Sequence, residues 1–487
     1  MRSLVAFCAV LLLPTAGWFV VSVHDLTPAD GPVVLVGMGV TGRAVASALA
    51  ARGHEVIAAD DRPGEAARRW VGADAAFGEI HDSTDATLLR KLVSGAAAVV
   101  PAPGVPPRHL SYTLADAAGV PVVSELDLAA QWDSRPLAAI TGTNGKTTVT
   151  VLTERMLNRS GVSAVGAGNT DIALVDAIDR EISTFVVEAS SFRLHRARRF
   201  APAVAAWLNL APDHLDWHPD LRDYAASKAR IWAAQGPDDV AVVPLGDTDI
   251  EPWTSGIRSR RVTFATPQQL EAPCDVHYER GVLVAHGDSI VAAADLPRRR
   301  PHDLSNAAAA TAVALEMGAS AEAVATELRS FDGLPHRLAF AGRVGEVSFY
   351  DDSKATAPHA TVAALRGFSD AVLIAGGRNK GLDLGELAAV APHVHGVVAI
   401  GEAAGEVVDC FSQPACGQIE LVRADSMHEA VEAAHRMAQP DRDVVLSPGC
   451  ASFDWYSSYG QRGEHFSTAV AGLAERTRSH APTGDKQ

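Results

Sequence analysis

Lys146 and Thr147 are the residues from which chemistry can first be read. They close the run Ile140-Thr141-Gly142-Thr143-Asn144-Gly145-Lys146-Thr147-Thr148. Before this run lies an apolar stretch, Leu137 to Ile140, and after it apolar residues recur at helical spacing from Val149 to Leu157. A strand, a turn of small residues and a helix N-terminus make an anion cradle, because backbone N–H groups are left free and the helix dipole favours negative charge. In such a cradle Lys146 is a point charge for terminal phosphates, and the Thr147 hydroxyl is placed to reach Mg²⁺. The spacing G-x-x-x-x-G-K-[ST] is not met in full, since position 140 is Ile and the first glycine is Gly142. The strand–turn–helix context carries the physics, so the stretch predicts binding of a nucleoside triphosphate.

Other candidates stand at the ends of apolar runs. Gly37-Met38-Gly39-Val40-Thr41-Gly42 lies between a strand, Pro32 to Val36, and a helix, Arg43 to Arg52; a second strand, Glu55 to Ala59, ends at Asp60-Asp61-Arg62. This is the G-x-G-x-x-G pattern in a βαβ setting with an acid after the second strand, and alone it predicts a dinucleotide. Glu188 follows the apolar strand Thr184 to Val187, at the carboxyl end of a strand beside the phosphate loop, where a Mg²⁺ ligand belongs. The run Val204 to Leu210 leads into Ala211-Pro212-Asp213-His214-Leu215-Asp216-Trp217-His218, then a helix, Tyr224 to Ala234, carrying Lys228. His214 and His218 have half of a zinc-site spacing, with no third ligand spaced nearby. His302-Asp303-Leu304-Ser305-Asn306 opens an Ala-rich helix to Met317.

The elements that position these residues suggest about three domains for 487 residues. After an apolar extension at 1–23, outside the fold, they are expected at 30–128, 129–333 and 334–487. The expected fold class is α/β: a Rossmann-like N-terminal domain, a central P-loop ATPase domain with a mostly parallel sheet, and a doubly wound, Rossmann-like C-terminal domain. In the first, a strand Ala97 to Val100, the turn Pro101-Ala102-Pro103-Gly104, a helix Leu110–Ala118 and a short strand Val120–Val123 complete the unit. In the last, the strand-like runs Val347–Tyr350, Ala371–Ile374, Gly396–Ile400, Glu420–Val422 and Asp443–Leu446 alternate with helical segments, which implies a parallel sheet. Its loops carry Asp351 to Thr356, Gly376 to Lys380 and Ser447-Pro448-Gly449.

The net charge of −16 argues against nucleic acid or an anionic membrane as the main partner. The basic clusters Arg193–Arg199 and Arg298–Arg300 read as solvated faces. Five cysteines, at 8, 274, 410, 416 and 450, lack metal-ligand spacing and suit reduced thiols in a reducing compartment. Met1 to Val23 has the look of a secretory signal or marginal anchor, but its charged region is thin and no small-x-small cleavage site follows. An enzyme that consumes ATP has its substrate in the cytoplasm, so this stretch is expected to be a wrong start or dispensable extension, and a chain begun near Asp25 to be active.

Taken in order, T-G-T-N-G-K-T-T, V-V-E-A-S-S-F, A-P-D-H-L-D-W-H, G-L-P-H-R, D-D-S-K-A-T and L-S-P-G-C-A-S-F-D resemble the Mur ligases over about Gly31 to Phe466. G-L-P-H-R followed by D-S-K-A-T resembles the branch that adds D-glutamate to UDP-N-acetylmuramoyl-L-alanine. The resemblance implies a cytoplasmic, monomeric, ATP-cleaving ligase of peptidoglycan precursor synthesis, with two Mg²⁺ sites. It assigns Gly142, Thr143, Asn144, Gly145, Lys146, Thr147 and Thr148 to the ATP phosphates, and Asn306, His336, Arg337 and Asp352 to the adenosine end. Val40, Thr41, Asp61, Arg62, Asn169 and Ser190 would meet the UDP-sugar, so the first glycine pattern would hold a UDP diphosphate. Lys354, Thr356, Lys380, Ser452, Phe453 and Tyr459 would hold D-glutamate. Thr147 and Glu188 would serve the first metal, His214 and Lys228 the second, with Lys146, His214 and Lys228 as the catalytic set. Three positions depart from the family pattern: Ala102 stands where Ser is usual, Asp303 where Asn is usual, and Tyr459 where Phe is usual.

The chemistry explains that layout. A carboxylate is a poor acyl donor, so ATP must first convert it into an acyl phosphate, which an amine then attacks through a tetrahedral intermediate. An ammonium at Lys228 would repel two metals, and its helix offers no carboxylate there. Carbamylation by CO₂, the modification of the matching family lysine, turns it into an anionic ligand. Three other readings remain open from residues alone: a related ligase for another amino acid, an NAD-dependent oxidoreductase fused to an ATPase, and a non-catalytic nucleotide switch.

Overall fold

Runs such as Val33-Val34-Leu35-Val36 and Val444-Val445-Leu446 are apolar on both faces, the pattern of strands covered by helices on each side. In the computed structural model, which describes residues 25–61, 79–170, 172–215 and 217–480, they build three sheets. Met1–Val23 and Arg62 lie outside the described residues.

The first sheet has the order Ile80–Asp82, Val56–Asp60, Val33–Val36, Ala98–Pro101, all parallel. The second has nine strands in the order Asp288–Ala292, Val282–Ala285, Val276–Glu279, Arg260–Phe264, Val240–Pro244, Val204–Trp207, Leu137–Thr141, Thr184–Glu188, Ala164–Gly168. Its last seven strands are parallel, and the two at the other edge are antiparallel hairpin strands. In the third sheet Ala339–Val344 pairs antiparallel with Val347–Asp351, followed by Val444–Leu446, Ala371–Gly376, Val394–Ile400 and Glu420–Ala424, all parallel. The α/β class with mostly parallel sheets is as expected.

Several local readings change. The strand expected at 120–123 is reduced to a single bridge between Val99 and Val122. The phosphate-loop helix begins at Lys146, three residues before its apolar spacing becomes visible at Val149. The Lys228 helix runs Leu221–Ala229, capped by Asp220, whose side chain accepts from the Asp223 N–H, and then tightens into a 3₁₀ turn, Arg230–Trp232.

One apolar core packs the helix-covered face of the first sheet, through Val33, Leu35 and Leu49, continuously into the central sheet, through Ala139, Val187 and Trp207. The third sheet has its own cores on its two faces. Among the described residues no helix is long and apolar enough to cross a membrane.

Candidate active site

The phosphate loop is built to be open and rigid. Gly145 has φ +84°, and a Cβ there would stand 2.4 Å from the Asn306 side-chain oxygen, so only glycine fits the turn beneath Asn306. Asn209, just after the neighbouring strand, clamps the loop: its Oδ1 accepts from Thr143 N–H at 3.1 Å and Asn144 N–H at 2.8 Å, and its Nδ2 donates to the Asn144 carbonyl at 3.2 Å. The Thr143 hydroxyl is engaged by Ala211, donating to its carbonyl at 3.2 Å, and accepts from the Tyr224 hydroxyl at 3.3 Å. Lys146 Nζ folds back over the cradle, donating to the carbonyls of Gly142 and Thr143 at 2.8 Å each. Burial holds its ammonium below the usual lysine range, while Glu188 and Asp213 pull the other way.

Lys228 is 1% exposed, and its Nζ donates to the same Gly142 carbonyl at 2.7 Å. Burial, and then the neighbouring Lys146 charge, push this amine well below the ordinary lysine value, against Asp213 and Glu188. Glu188 ends its strand with one carboxylate oxygen accepting from Asn169 Nδ2 at 2.9 Å. The other, Oε2, is buried with no partner. A buried carboxylate oxygen without a hydrogen bond costs free energy unless a cation or proton compensates. Beside Thr147 and two lysines, Glu188 fits a divalent cation bound with a triphosphate.

His214 lies in the left-handed region, at φ 55°, with its ring edge-on to Phe192 and Nε2 3.5 Å from Asp213 Oδ2. His218 does not join it as a zinc pair. Its ring is buried, Nδ1 standing 2.6 Å from Asp223 Oδ2 and Nε2 2.9 Å from Ser191 Oγ. The three-residue cluster His195, His218 and Asp223 is therefore tied up in hydrogen bonds between the Lys228 helix and the turn after Glu188.

The third sheet delivers its loops to the same place. Arg337 reaches across to donate to Thr147 Oγ1 at 2.7 Å. Asp352 accepts from the Ser447 hydroxyl at 2.7 Å and from Leu338 N–H at 3.2 Å, yet burial pushes its carboxyl up to about 7. His336, at φ 60°, stands 2.6 Å from Asp351 through Nδ1. Asp303 is held by Arg298 at 2.9 Å, with its second oxygen buried and unpartnered. The loops 351–356, 376–380 and 447–452 follow three adjacent parallel strands, a switch-point arrangement for a small ligand. Lys354 Nζ sits 3.8 Å above the Tyr459 ring, Lys380 Nζ 5.3 Å from the Phe453 ring centre, and Ser452 Oγ is buried without a partner. Arg462 holds this assembly, donating to the Ser353 hydroxyl at 2.9 Å, the Ser353 carbonyl at 2.8 Å and the Cys450 carbonyl at 3.1 Å. From the same side comes His359, its imidazole held below the usual histidine value by burial.

In the first domain Gly42 is required by contact: a Cβ there would lie 1.9 Å from the Gly37 carbonyl oxygen. Asp60, rather than Asp61, turns to the loop, accepting from Met38 N–H at 2.7 Å, whereas Asp61 pairs with Ser83 and His109. Val40 is exposed at the helix start. Thr41 accepts from Arg193 at 2.9 Å, and Ser190 caps the turn that carries Arg193. Arg193 corrects the reading of its basic cluster as a solvated face: it is buried and ion-paired with Glu125, whose other oxygen accepts from Leu174 N–H. Asn209, Arg193, Arg462 and His359 were missed because no local motif marks them; only the turn-forming Asn after an apolar run gave a signal.

Two family descriptions match: Mur ligase middle domain over residues 140–314, and Mur ligase, glutamate ligase domain over residues 336–450. A UDP-N-acetylmuramoylalanine–D-glutamate ligase of Desulfosudis oleivorans is 38% identical over 91% of this chain and 96% of its own length. The protein of the same name from Frankia casuarinae is 39% identical over 90% of this chain and 93% of its own. Among solved structures, MurF from Acinetobacter baumannii aligns with a TM-score of 0.55 at 19% identity, covering 92% of this chain and 93% of that one, a likeness of fold.

Proposed function

Since the chain belongs to the Mur ligase family, we propose that it joins D-glutamate to UDP-N-acetylmuramoyl-L-alanine at the cost of one ATP, in peptidoglycan precursor synthesis. The geometric observation that carries this reading is Arg337 bonded to Thr147, which brings the loops of the third sheet onto the phosphate loop. The acceptor carboxylate takes the γ-phosphoryl group, releasing ADP; the D-glutamate amine attacks the acyl carbon; the C–N bond forms as phosphate leaves. Lys146 and the N–H groups of Gly142 to Thr148 hold the phosphates. Asn306, His336, Arg337 and Asp352 frame the adenosine end. Val40, Thr41, Asp61, Asn169 and Ser190 orient the UDP-sugar, and Lys354, Thr356, Lys380, Ser452, Phe453 and Tyr459 receive D-glutamate, whose carboxylates call for two ammonium groups.

Mg²⁺ bound at Thr147 and Glu188, and again at His214 and Lys228, would neutralise charge developing on the phosphoryl group. For Lys228 to serve there it must be a carbamate. A buried amine beside a second lysine, on a helix turn without a carboxylate, supports this reading. The enzyme works in the cytoplasm as a monomer. A phosphate-release assay with UDP-N-acetylmuramoyl-L-alanine and a panel of D- and L-amino acids tests the proposal: D-glutamate is the preferred acceptor and L-glutamate fails. Equal rates with neutral amino acids would refute it.

A further inference from the structure

A cleft lies between the first sheet and the turn after Glu188, lined by Pro101–Pro103, Tyr112, Glu125, Arg193 and Arg196. It abuts the glycine pattern: a Cβ at Gly37 would stand 3.1 Å from the Ala102 side chain, and one at Gly42 3.7 Å from it. The helix opened by that pattern, Val40–Ala51, has no side chain capping its N-terminus, which leaves its first N–H groups to an anion. Ala102 brings no hydroxyl to this wall, so the strong donors there are the two guanidinium groups. Arg193 is 6% exposed, ion-paired with Glu125, and donates to Thr41 Oγ1 at 2.9 Å in the first turn of the helix, yet its Nε is buried with no partner. The other Glu125 oxygen accepts from Leu174 N–H at 2.8 Å, so the acid of this cleft is already engaged on both sides.

Arg196 is left uncompensated. Its guanidinium carbon lies 5.0 Å from the Tyr112 ring centre, and its Nε is buried with no partner. Among the described residues no carboxylate pairs with it, and its charged neighbour Arg230 is held below the usual arginine value by burial and then by Arg196 itself. A guanidinium without a counter-charge, sharing a cleft with a helix N-terminus, calls for a phosphate, whose oxygens match its fork of donors.

We propose that Arg196, steadied on Tyr112, binds the diphosphate of the sugar nucleotide together with the helix N-terminus at Val40. The inference rests on the ATP-dependent ligase reading and adds to its nucleotide-sugar set a cation from the central domain. A diphosphate held by both domains ties the first sheet to the turn that follows Glu188. The grip on the phosphates then helps deliver the acyl carboxylate, further along the same ligand, to the ATP side.

The test is equilibrium binding of UDP-N-acetylmuramoyl-L-alanine, UDP and uridine to the full chain, measured by calorimetry. Arg196→Ala weakens the sugar nucleotide and UDP by about ten- to a hundredfold, the scale of one lost charged hydrogen-bonding group, and leaves uridine binding unchanged. Arg196→Lys, which keeps the charge without the fork, loses less. A UDP affinity in Arg196→Ala within about threefold of the native value, or equal losses for UDP and uridine, would overturn the proposal and leave Arg196 as packing on Tyr112. A native chain that binds neither UDP nor the sugar nucleotide would instead refute the ligase reading and the proposal with it. Thermal unfolding reports on the fold, and should Arg196→Ala not fold, Arg196→Met, which keeps an apolar stem on Tyr112, carries the same readout.

Discussion

Replacing Asn209 by Ala removes three hydrogen bonds from the phosphate loop at once: two accepted from Thr143 and Asn144 N–H and one donated to the Asn144 carbonyl. Thr143 N–H retains its bond to the Asn209 main-chain carbonyl at 3.1 Å, so the donor left unpaired is the Asn144 N–H. Leaving a buried donor unpaired costs about 1–3 kcal/mol, and partial access to water at this site keeps the total within about that range. The loop is bounded by a strand and a helix that do not depend on Asn209, so the loss falls on holding the cradle in shape rather than on the global fold. At about 1.4 kcal/mol per factor of ten, kcat/KM for ATP falls about 5- to 150-fold. Asn209→Asp separates shape from charge: it keeps the acceptor for both N–H groups and the thermal stability, but sets a carboxylate beside a triphosphate and loses ATP affinity. Phosphate release at varied ATP, with melting curves for both variants, reads the outcome. An Asn209→Ala enzyme whose kcat/KM for ATP stays within about threefold of the native value would refute the clamp.

Lys146→Ala retains native circular dichroism and loses phosphate release by about three orders of magnitude or more, because the cradle loses its only loop cation; normal ligation by the folded variant would sink the phosphate-loop reading. Lys228→Ala is nearly inactive and partly rescued by a short carboxylate such as acetate, measured as restored phosphate release, whereas an active unrescued variant would argue against a carbamate. Asp352 is held near 7 when folded and near 4 when unfolded, so between those values the native state binds the extra proton. Stability from this group is therefore present below pH 4 and lost as pH rises to about 7, on the order of a few kcal/mol. Asp352→Asn should flatten that slope in urea titrations run from pH 4.5 to 7.5, and an unchanged slope would show the carboxyl is not buried in its neutral form.

What was legible in the sequence was whatever is contiguous. The phosphate loop, the first glycine pattern and the parallel strands of the third sheet are each written in one short window. The strands between Val276 and Ala292 are not legible, although their turns carry Gly281 and Gly287, because each is only four or five residues long, and the clean alternation of Val276-His277-Tyr278-Glu279 lasts a single four-residue window. The partners that shape the site are far apart in the chain. Arg462 acts on Ser353 over 109 residues, Arg193 on Glu125 over 68, and Asn209 on the loop over about 65, so composition marked Arg193 only as part of a basic run. His218 shows the same limit in reverse: its spacing from His214 suggested a shared metal, but although both rings pack on Phe192 and Tyr224, their nitrogens meet different carboxylates, Asp223 for His218 and Asp213 for His214.

The core that runs unbroken from the first sheet into the central one has a consequence for how the protein comes apart. Elements that share buried side chains open and close together, so the first and central sheets form one cooperative unit, and the third sheet, with its separate cores, forms another. Calorimetry should then resolve two transitions rather than three. During synthesis the larger unit is complete before the residues of the smaller one leave the ribosome, so the loop at 142–148 exists as a folded surface on which the last third of the chain docks.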